Sequence, residues 1–269
     1  MIGFIGIGNM GGTLARVIRV PETIMERERV LISSRTGESA YRFAEANEGF
    51  VVVGNESIAE TADKIFLGVK PHQVKKVLEE LTPIFEKRKR EILLISMAAG
   101  VTTAQIEAYC GCDVHVIRIM PNTPCLVSEG CIPYCCGKHT TKADCEVLKE
   151  MMSTAGMLLE MDESLIDAAG AVAGCGPAFT YIYLEALADA GVACGLPRTT
   201  AMLLAAQMAC GSARMVLDTQ AHPGALKDEV CSPGGSTIAG VCALDEHGFR
   251  NAVHKAVLAA YQRNRTLGK

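Results

Sequence analysis

The chain lacks most of the signals that would export it, embed it or attach it to polyanions. No basic n-region, apolar h-region or Arg-rich presequence precedes the first apolar run, Met1 to Ile5, so a cytoplasmic protein is expected. A net charge of −4 gives no basic footprint for nucleic acid. Apolar stretches in the second half are broken by Gly, Pro, Asp, Glu or Arg before a bilayer-spanning length, so no membrane span is expected. Cys-x-x-Cys is missing although there are 12 cysteines. Cys110 and Cys112 are too close for a zinc knuckle, Cys135 and Cys136 are adjacent, and the histidines show no paired helical spacing, which leaves no metal site. The cysteines therefore read as reduced thiols, with Cys194, Cys210 and Cys242 packing as small residues in Ala-rich helices.

What is present is a two-part pattern. A length of 269 residues exceeds what one core usually supports, and 49% hydrophobic residues can fill two. Short apolar runs at Val30 to Ile32, Val51 to Val53, Ile65 to Val69, Ile92 to Ser96 and Val114 to Met120 read as buried strands. Weaker ones lie near Cys131 to Tyr134 and Met157 to Glu160. Between them, Glu38 to Ala46, Ser57 to Ala62, His72 to Phe85, Thr103 to Tyr109 and Thr141 to Ala155 carry helical spacing. Parallel strands linked by helices make a doubly wound α/β sheet over residues 1–162. From Leu165 onward no strand is evident, so 163–269 should be all-helical, with helices at Pro177 to Cys194, Thr199 to Leu217, Ser236 to Leu244 and Phe249 to Asn264. Small residues such as those from Ala186 to Gly191 suit close helix packing, either within the chain or between subunits.

Gly6-Ile7-Gly8-Asn9-Met10-Gly11 follows the first apolar run and opens a helix-compatible stretch from Gly12 to Ile18. Strand, tight turn and helix in that order form a dinucleotide-binding signature, because glycines let the backbone approach a pyrophosphate and aim helix N–H groups at it. In an open parallel sheet the ligand lies beyond the carboxyl ends of the strands, so the residues there come next. The second strand ends in Ser33-Ser34-Arg35-Thr36, with no acid to bind a ribose 2′-hydroxyl; hydroxyls and a guanidinium suit a 2′-phosphate, favouring NADPH, with NADH the alternative. Later strand ends give Val69-Lys70-Pro71, Ala98-Ala99-Gly100 and Pro121-Asn122-Thr123, which could border a nicotinamide, with Ala98, Ala99 and Asn122 supplying hydrogen bonds to its carboxamide.

A second anion cradle lies in the helical half. In the segment Asp228 to Thr237, Ser232-Pro233-Gly234-Gly235-Ser236-Thr237 precedes the helix through Ile238 and Ala239. Its N–H groups favour a carboxylate or phosphate. An ordinary N-cap by Ser236 or Thr237 explains the same residues without a ligand.

Together these motifs resemble the Δ1-pyrroline-5-carboxylate reductase family along the whole chain. The carriers are Gly6 to Gly11, Val69 to Pro71, Ala98 to Val101, Met120 to Pro124, Gly174 to Ala178, and above all Ser232 to Gly240 with Gly248-Phe249-Arg250. The resemblance implies a Rossmann-type domain followed by an all-α dimerisation domain. It also implies a homodimer through the C-terminal helices, able to assemble further into rings, with each active site shared between subunits. Ser232 and the backbone of Gly234, Gly235, Ser236, Thr237, Ile238 and Ala239 would hold the substrate carboxylate, and the Thr237 hydroxyl would lie beside the ring nitrogen as the catalytic group. Cys175 stands where the family often has serine, and Gln220 where some members carry an acid.

The implied reaction is hydride transfer from NADPH to a cyclic imine, giving L-proline. A protonated imine that accepts hydride becomes a neutral amine and needs no dedicated acid. That suits a site of hydroxyls and backbone donors, with orientation worth up to ~7–11 kcal/mol in ideal cases. A β-hydroxyacid dehydrogenase would need a lysine on an early C-terminal helix, and Pro177 to Cys194 has none. A non-catalytic NADPH-binding regulator would have no use for the second cradle.

Overall fold

The computed structural model describes residues 1–18 and 30–267. They fall into two compact units, Met1–Cys175 with Ala260–Lys269, and Gly176–Ala259.

In the first unit all eight apolar runs become strands: β1 (Ile2–Ile5), β2 (Val30–Ser33), β3 (Phe50–Val52), β4 (Lys64–Leu67), β5 (Leu93–Ser96), β6 (His115–Ile119), β7 (Gly130–Cys136) and β8 (Gly156–Glu160). They form one sheet in the order β3-β2-β1-β4-β5-β6-β7-β8. Successive side chains alternate between its faces. Phe4, Phe66, Ile95 and Ile117 enter one core, while Ile5, Leu67, Leu94 and Val116 enter the other. Burial of each such side chain is worth about 1.5–3 kcal/mol. The linking helices are α1 (Asn9–Val17), α2 (Glu38–Ala46), α3 (Asn55–Thr61), α4 (Pro71–Phe85), α5 (Thr103–Cys110) and α6 (Lys142–Met151).

Two details correct the sequence reading of this sheet. β7 runs antiparallel to β6, with Ile117 opposite Cys136. Between them lies only a 3-10 turn, Thr123–Val127, too short for the crossover a parallel return requires, whereas α6 supplies that crossover and β8 lies parallel to β7. The helix expected to reach Ala155 ends at Met151, where a turn leads into Gly156 at φ 134°.

Beyond the sheet, α7 (Glu163–Ala169) runs into a π-helix, Gly170–Gly174. Arg118 of β6, with its side chain 2% exposed, clasps α7 through Asp167 at 2.5 Å and Glu163 at 3.6 Å. Glu163 also accepts from the N–H and hydroxyl of Thr103, tying the start of α5 to the same network.

The second unit is helical, with no strand among the described residues: α8 (Gly176–Ala193), α9 (Arg198–Thr219), α10 (Pro223–Glu229), α11 (Ser236–Glu246) and most of α12 (Phe249–Leu267). α8 and α9 form a hairpin, in which Gly191 lets Ala201 approach and Asp189 pairs with Arg198. α10 was not legible as a helix; Pro223 starts it and His222 caps it by accepting from the Gly224 N–H. Much of this unit's apolar surface is uncovered within one chain, Ile182 being 67% and Leu203 68% exposed. Cys194, Cys210 and Cys242, expected to be packed, are exposed as well.

The expectation of no span-length apolar helix also needs correcting. Gly170, Gly174 and Pro177 do not stop the chain from running on as one 31-residue helix, Glu163–Ala193. That helix and α9 are long and apolar enough to cross a membrane by length and composition alone.

Candidate functional site

The first glycine turn is built by mutual close approach. Gly6, at φ 97°, donates its N–H to Ser33 O, as does Ile7. A Cβ on Gly11 would lie 2.4 Å from Gly6 O, and one on Gly68 2.5 Å from the same atom. Only hydrogen fits at either place. Gly68 was missed by the sequence reading because it falls outside the motif, although it directly follows β4 and precedes Val69. Gly8 is different: nothing lies within 4 Å of its Cβ position, and it begins α1 with no side chain capping the helix. The open helix N-terminus there is a fitting anion seat.

Beside this turn lies a cavity of about 380 Å³, whose walls include Gly6, Ser33, Ser34, Arg35, Asn55 and Val69, with Gln73 and Lys76 contributed by α4. Asn55, Gln73 and Lys76 were not anticipated, since only the tertiary fold brings α3 and α4 to the end of β2. Arg35 and Thr36 are exposed. Ser33 is 2% exposed and its hydroxyl donates to Asn55 at 2.7 Å, so it props the turn instead of facing a phosphate. Ser34 accepts from the Ala40 N–H. Glycines placed where a Cβ cannot fit, an uncapped helix start and a guanidinium at the end of β2 together fit a 2′-phosphorylated dinucleotide.

The remaining strand-end residues divide. Lys70 is exposed and Pro71 starts α4. Ala98 is buried with its N–H given to Ser96 Oγ at 3.3 Å, while Ala99 and Gly100 are half-buried. Pro121 is buried and Thr123 exposed. Asn122, expected to bind a carboxamide, is 6% exposed and engaged within the protein, donating to Ala173 O and accepting from the Cys131 N–H.

In the second unit, Gly234 adopts φ 67° and the Gly235 N–H donates to Ser232 O at 3.0 Å, closing a tight turn. The N-cap of α11 is Gly235, with no side-chain cap. The alternative in which Ser236 or Thr237 caps the helix is therefore not realised. Ser232, Ser236, Thr237 and Ala239 are exposed and Ile238 is half-buried, so the first N–H groups of α11 face an open cradle.

Both halves of the chain, the sheet and the helical unit, have known relatives. Residues 163–267 match a family model described as pyrroline-5-carboxylate reductase dimerisation, and residues 1–100 match one described as NADP oxidoreductase, coenzyme F420-dependent. A Danio rerio protein named pyrroline-5-carboxylate reductase 3 is 39% identical over 267 residues, covering 99% of this chain and 91% of that one. The chain belongs to the pyrroline-5-carboxylate reductase family. The Glycine max pyrroline-5-carboxylate reductase is 38% identical, covering 99% of this chain and 95% of its own. Among solved structures, that of Plasmodium falciparum pyrroline carboxylate reductase with NADP bound superposes with a TM-score of 0.86 at 32% identity, covering 100% of this chain and 98% of that one.

Nothing else among the described residues competes with these cradles. No group of three or more His, Cys, Asp or Glu is placed to hold a metal. All 12 cysteines are free, and burial pushes the Cys110 and Cys135 thiols up to about 12, leaving them protonated at neutral pH. A second opening of about 490 Å³ lies at the opposite, amino-terminal edge of β1 and β4, but its buried Arg88 is committed to Ala59 O, Ala62 O and Asp63.

Proposed function

We propose that this family member reduces the C=N bond of Δ1-pyrroline-5-carboxylate with NADPH to give L-proline, the last step of proline biosynthesis. The observation that carries the reading is that one chain pairs a glycine turn packed too tightly for any Cβ at Gly11, opening α1 at Gly8, with a second glycine turn, Gly234 at φ 67°, opening α11 at Gly235; α2 and α3 also start on an uncapped glycine, but neither follows such a turn motif. A dinucleotide enzyme needs the first. A small carboxylate substrate explains the second.

In this reading Gly6, Gly8, Asn9, Met10 and Gly11 receive the pyrophosphate on the first N–H groups of α1. Ser34, Arg35 and Thr36 hold the 2′-phosphate, with Ser33 supporting them, and Arg35 sets the preference over NADH. Val69, Lys70, Pro71, Ala98, Ala99, Gly100, Pro121 and Thr123 border the cofactor towards its nicotinamide end. When bound, NADPH supplies a hydride to the imine carbon. Ser232 and the backbone N–H groups from Gly234 to Ala239 hold the substrate carboxylate and orient the ring. Thr237 Oγ1 accepts from the iminium N–H, which becomes a neutral amine once the carbon has taken the hydride. No acid is needed, so rate comes chiefly from orientation.

Residues 1–162 form the dinucleotide-binding domain and 163–269 the substrate and dimerisation domain. The uncovered apolar faces of α8 and α9 suit a homodimer through these helices, from which larger rings can be built. Such a protein works in the cytoplasm. The test is initial-rate oxidation of NADPH and NADH in parallel, with proline detected as product. Proline formed with an NADPH preference supports both reaction and cofactor; an NADH preference keeps the reaction and overturns the role of Arg35. A folded, dinucleotide-binding protein that forms no proline with either would instead be a regulator.

A further inference from the structure

Ala173 lies in the π-helix, four residues before Pro177, within the continuous helix Glu163–Ala193. In an α-helix its carbonyl would accept from the N–H of residue 177, and proline has none. Asn122 Nδ2 donates to that carbonyl at 3.0 Å. The carboxamide oxygen accepts from the Cys131 N–H at the start of β7, also at 3.0 Å. With a carbonyl on one side and an N–H on the other, the amide has one workable orientation. Met120, two residues before Asn122, lies against the same π-helix: a Cβ on Gly170 would come within 3.0 Å of Met120 Cγ.

We propose that Asn122 is a positioning residue for the nicotinamide end of the site, not a cofactor ligand. Its carboxamide replaces the helix hydrogen bond that Pro177 cannot make and so locks residues 170–174 against the Met120-Pro121 edge. This rests on the proposed reading that the loop after β6 borders the nicotinamide. A half-buried carbonyl stripped of its donor is costly, so the π-helix should loosen when Asn122 loses its amide.

The test compares Asn122→Ala with the double variant Asn122→Ala/Pro177→Ala, in which residue 177 regains a backbone N–H. Hydrogen exchange at residues 170–175, kcat, and binding of 2′,5′-ADP as a probe of the adenine half are read together. Asn122→Ala should speed exchange there and lower kcat about tenfold, with 2′,5′-ADP binding unchanged within about twofold. Adding Pro177→Ala should restore exchange protection and most of kcat. Unchanged kcat or exchange in Asn122→Ala, equal loss of 2′,5′-ADP binding, or no recovery in the double variant would each overturn the proposal. Should Asn122→Ala fail to fold, Asn122→Asp takes its place, keeping the acceptor for Cys131 while setting an oxygen against Ala173. If the wild type forms no proline, the functional reading fails, while the exchange measurements still decide the lock.

Discussion

Gly8 and Gly68 separate the two uses of glycine at the dinucleotide turn, and alanine at each position gives opposite signatures. At Gly68 the new Cβ would sit 2.5 Å from Gly6 O and 3.1 Å from Met97 Cε. The first contact is with backbone, which cannot rotate away, so β1 and β4 must part at their carboxyl ends. Overpacking of this kind costs about 1–3 kcal/mol, a Tm lower by roughly 5 °C for a chain of this size. NADPH binding weakens as a consequence, because Gly6 is displaced. At Gly8 the backbone lies at φ −84° and ψ −163°, which alanine adopts without strain, and the space around it is open. Gly8→Ala should leave Tm unchanged or slightly raised. It should nevertheless weaken NADPH about 10- to 100-fold, since the methyl group holds the pyrophosphate away from charge-assisted hydrogen bonds worth about 1.5–3 kcal/mol. Thermal denaturation and fluorescence titration with NADPH measure the two effects separately. Wild-type NADPH affinity in Gly8→Ala would refute the seating of the pyrophosphate, and wild-type Tm in Gly68→Ala would refute the packing argument.

Three further outcomes are expected. Thr237→Ala should lower turnover while NADPH binding stays intact; unchanged turnover would remove Thr237 from the mechanism. Arg118→Met leaves Asp167 and Glu163 facing each other without their cation; with those carboxylates about a quarter exposed, the loss should fall near the lower end of the about 3–5 kcal/mol typical of a broken buried pair, and a denaturation change under about 1 kcal/mol would contradict it. For Asp144, burial would raise the carboxyl, but hydrogen bonds from Thr141 and the charge of His115 outweigh it and hold it below its ordinary 3.8. The folded-state value being depressed, the stabilisation is present above pH 4 and is lost as pH falls through the lower folded value. Asp144→Ala should cost about 1 kcal/mol at neutral pH, with the gap to wild type closing in acid; a gap that stays constant in acid melts would refute this.

Read from sequence alone, the inner strands β1, β4, β5 and β6 were legible because parallel strands buried on both faces are nearly continuous apolar runs. The glycine turn was legible because no other residue tolerates φ 97° at Gly6 or the approach of Gly6 O to Gly11. The second cradle was legible too, as glycines before a helix. Which group caps that helix was not, because Ser236 and Thr237 suit an N-cap by residue type and only the backbone path makes Gly235 the cap. The direction of β7 turned on the crossover length available after Met120, a property of connection and not of strand composition. Gly68, Asn55, Gln73 and Lys76 escaped notice because their importance arises from neighbours far along the chain. Ser33 and Asn122 show the converse. Their types and strand-end positions suggested ligand contacts, yet the tertiary structure turns both inward, since a buried hydroxyl or carboxamide must satisfy its hydrogen bonds within the protein before it can serve a ligand.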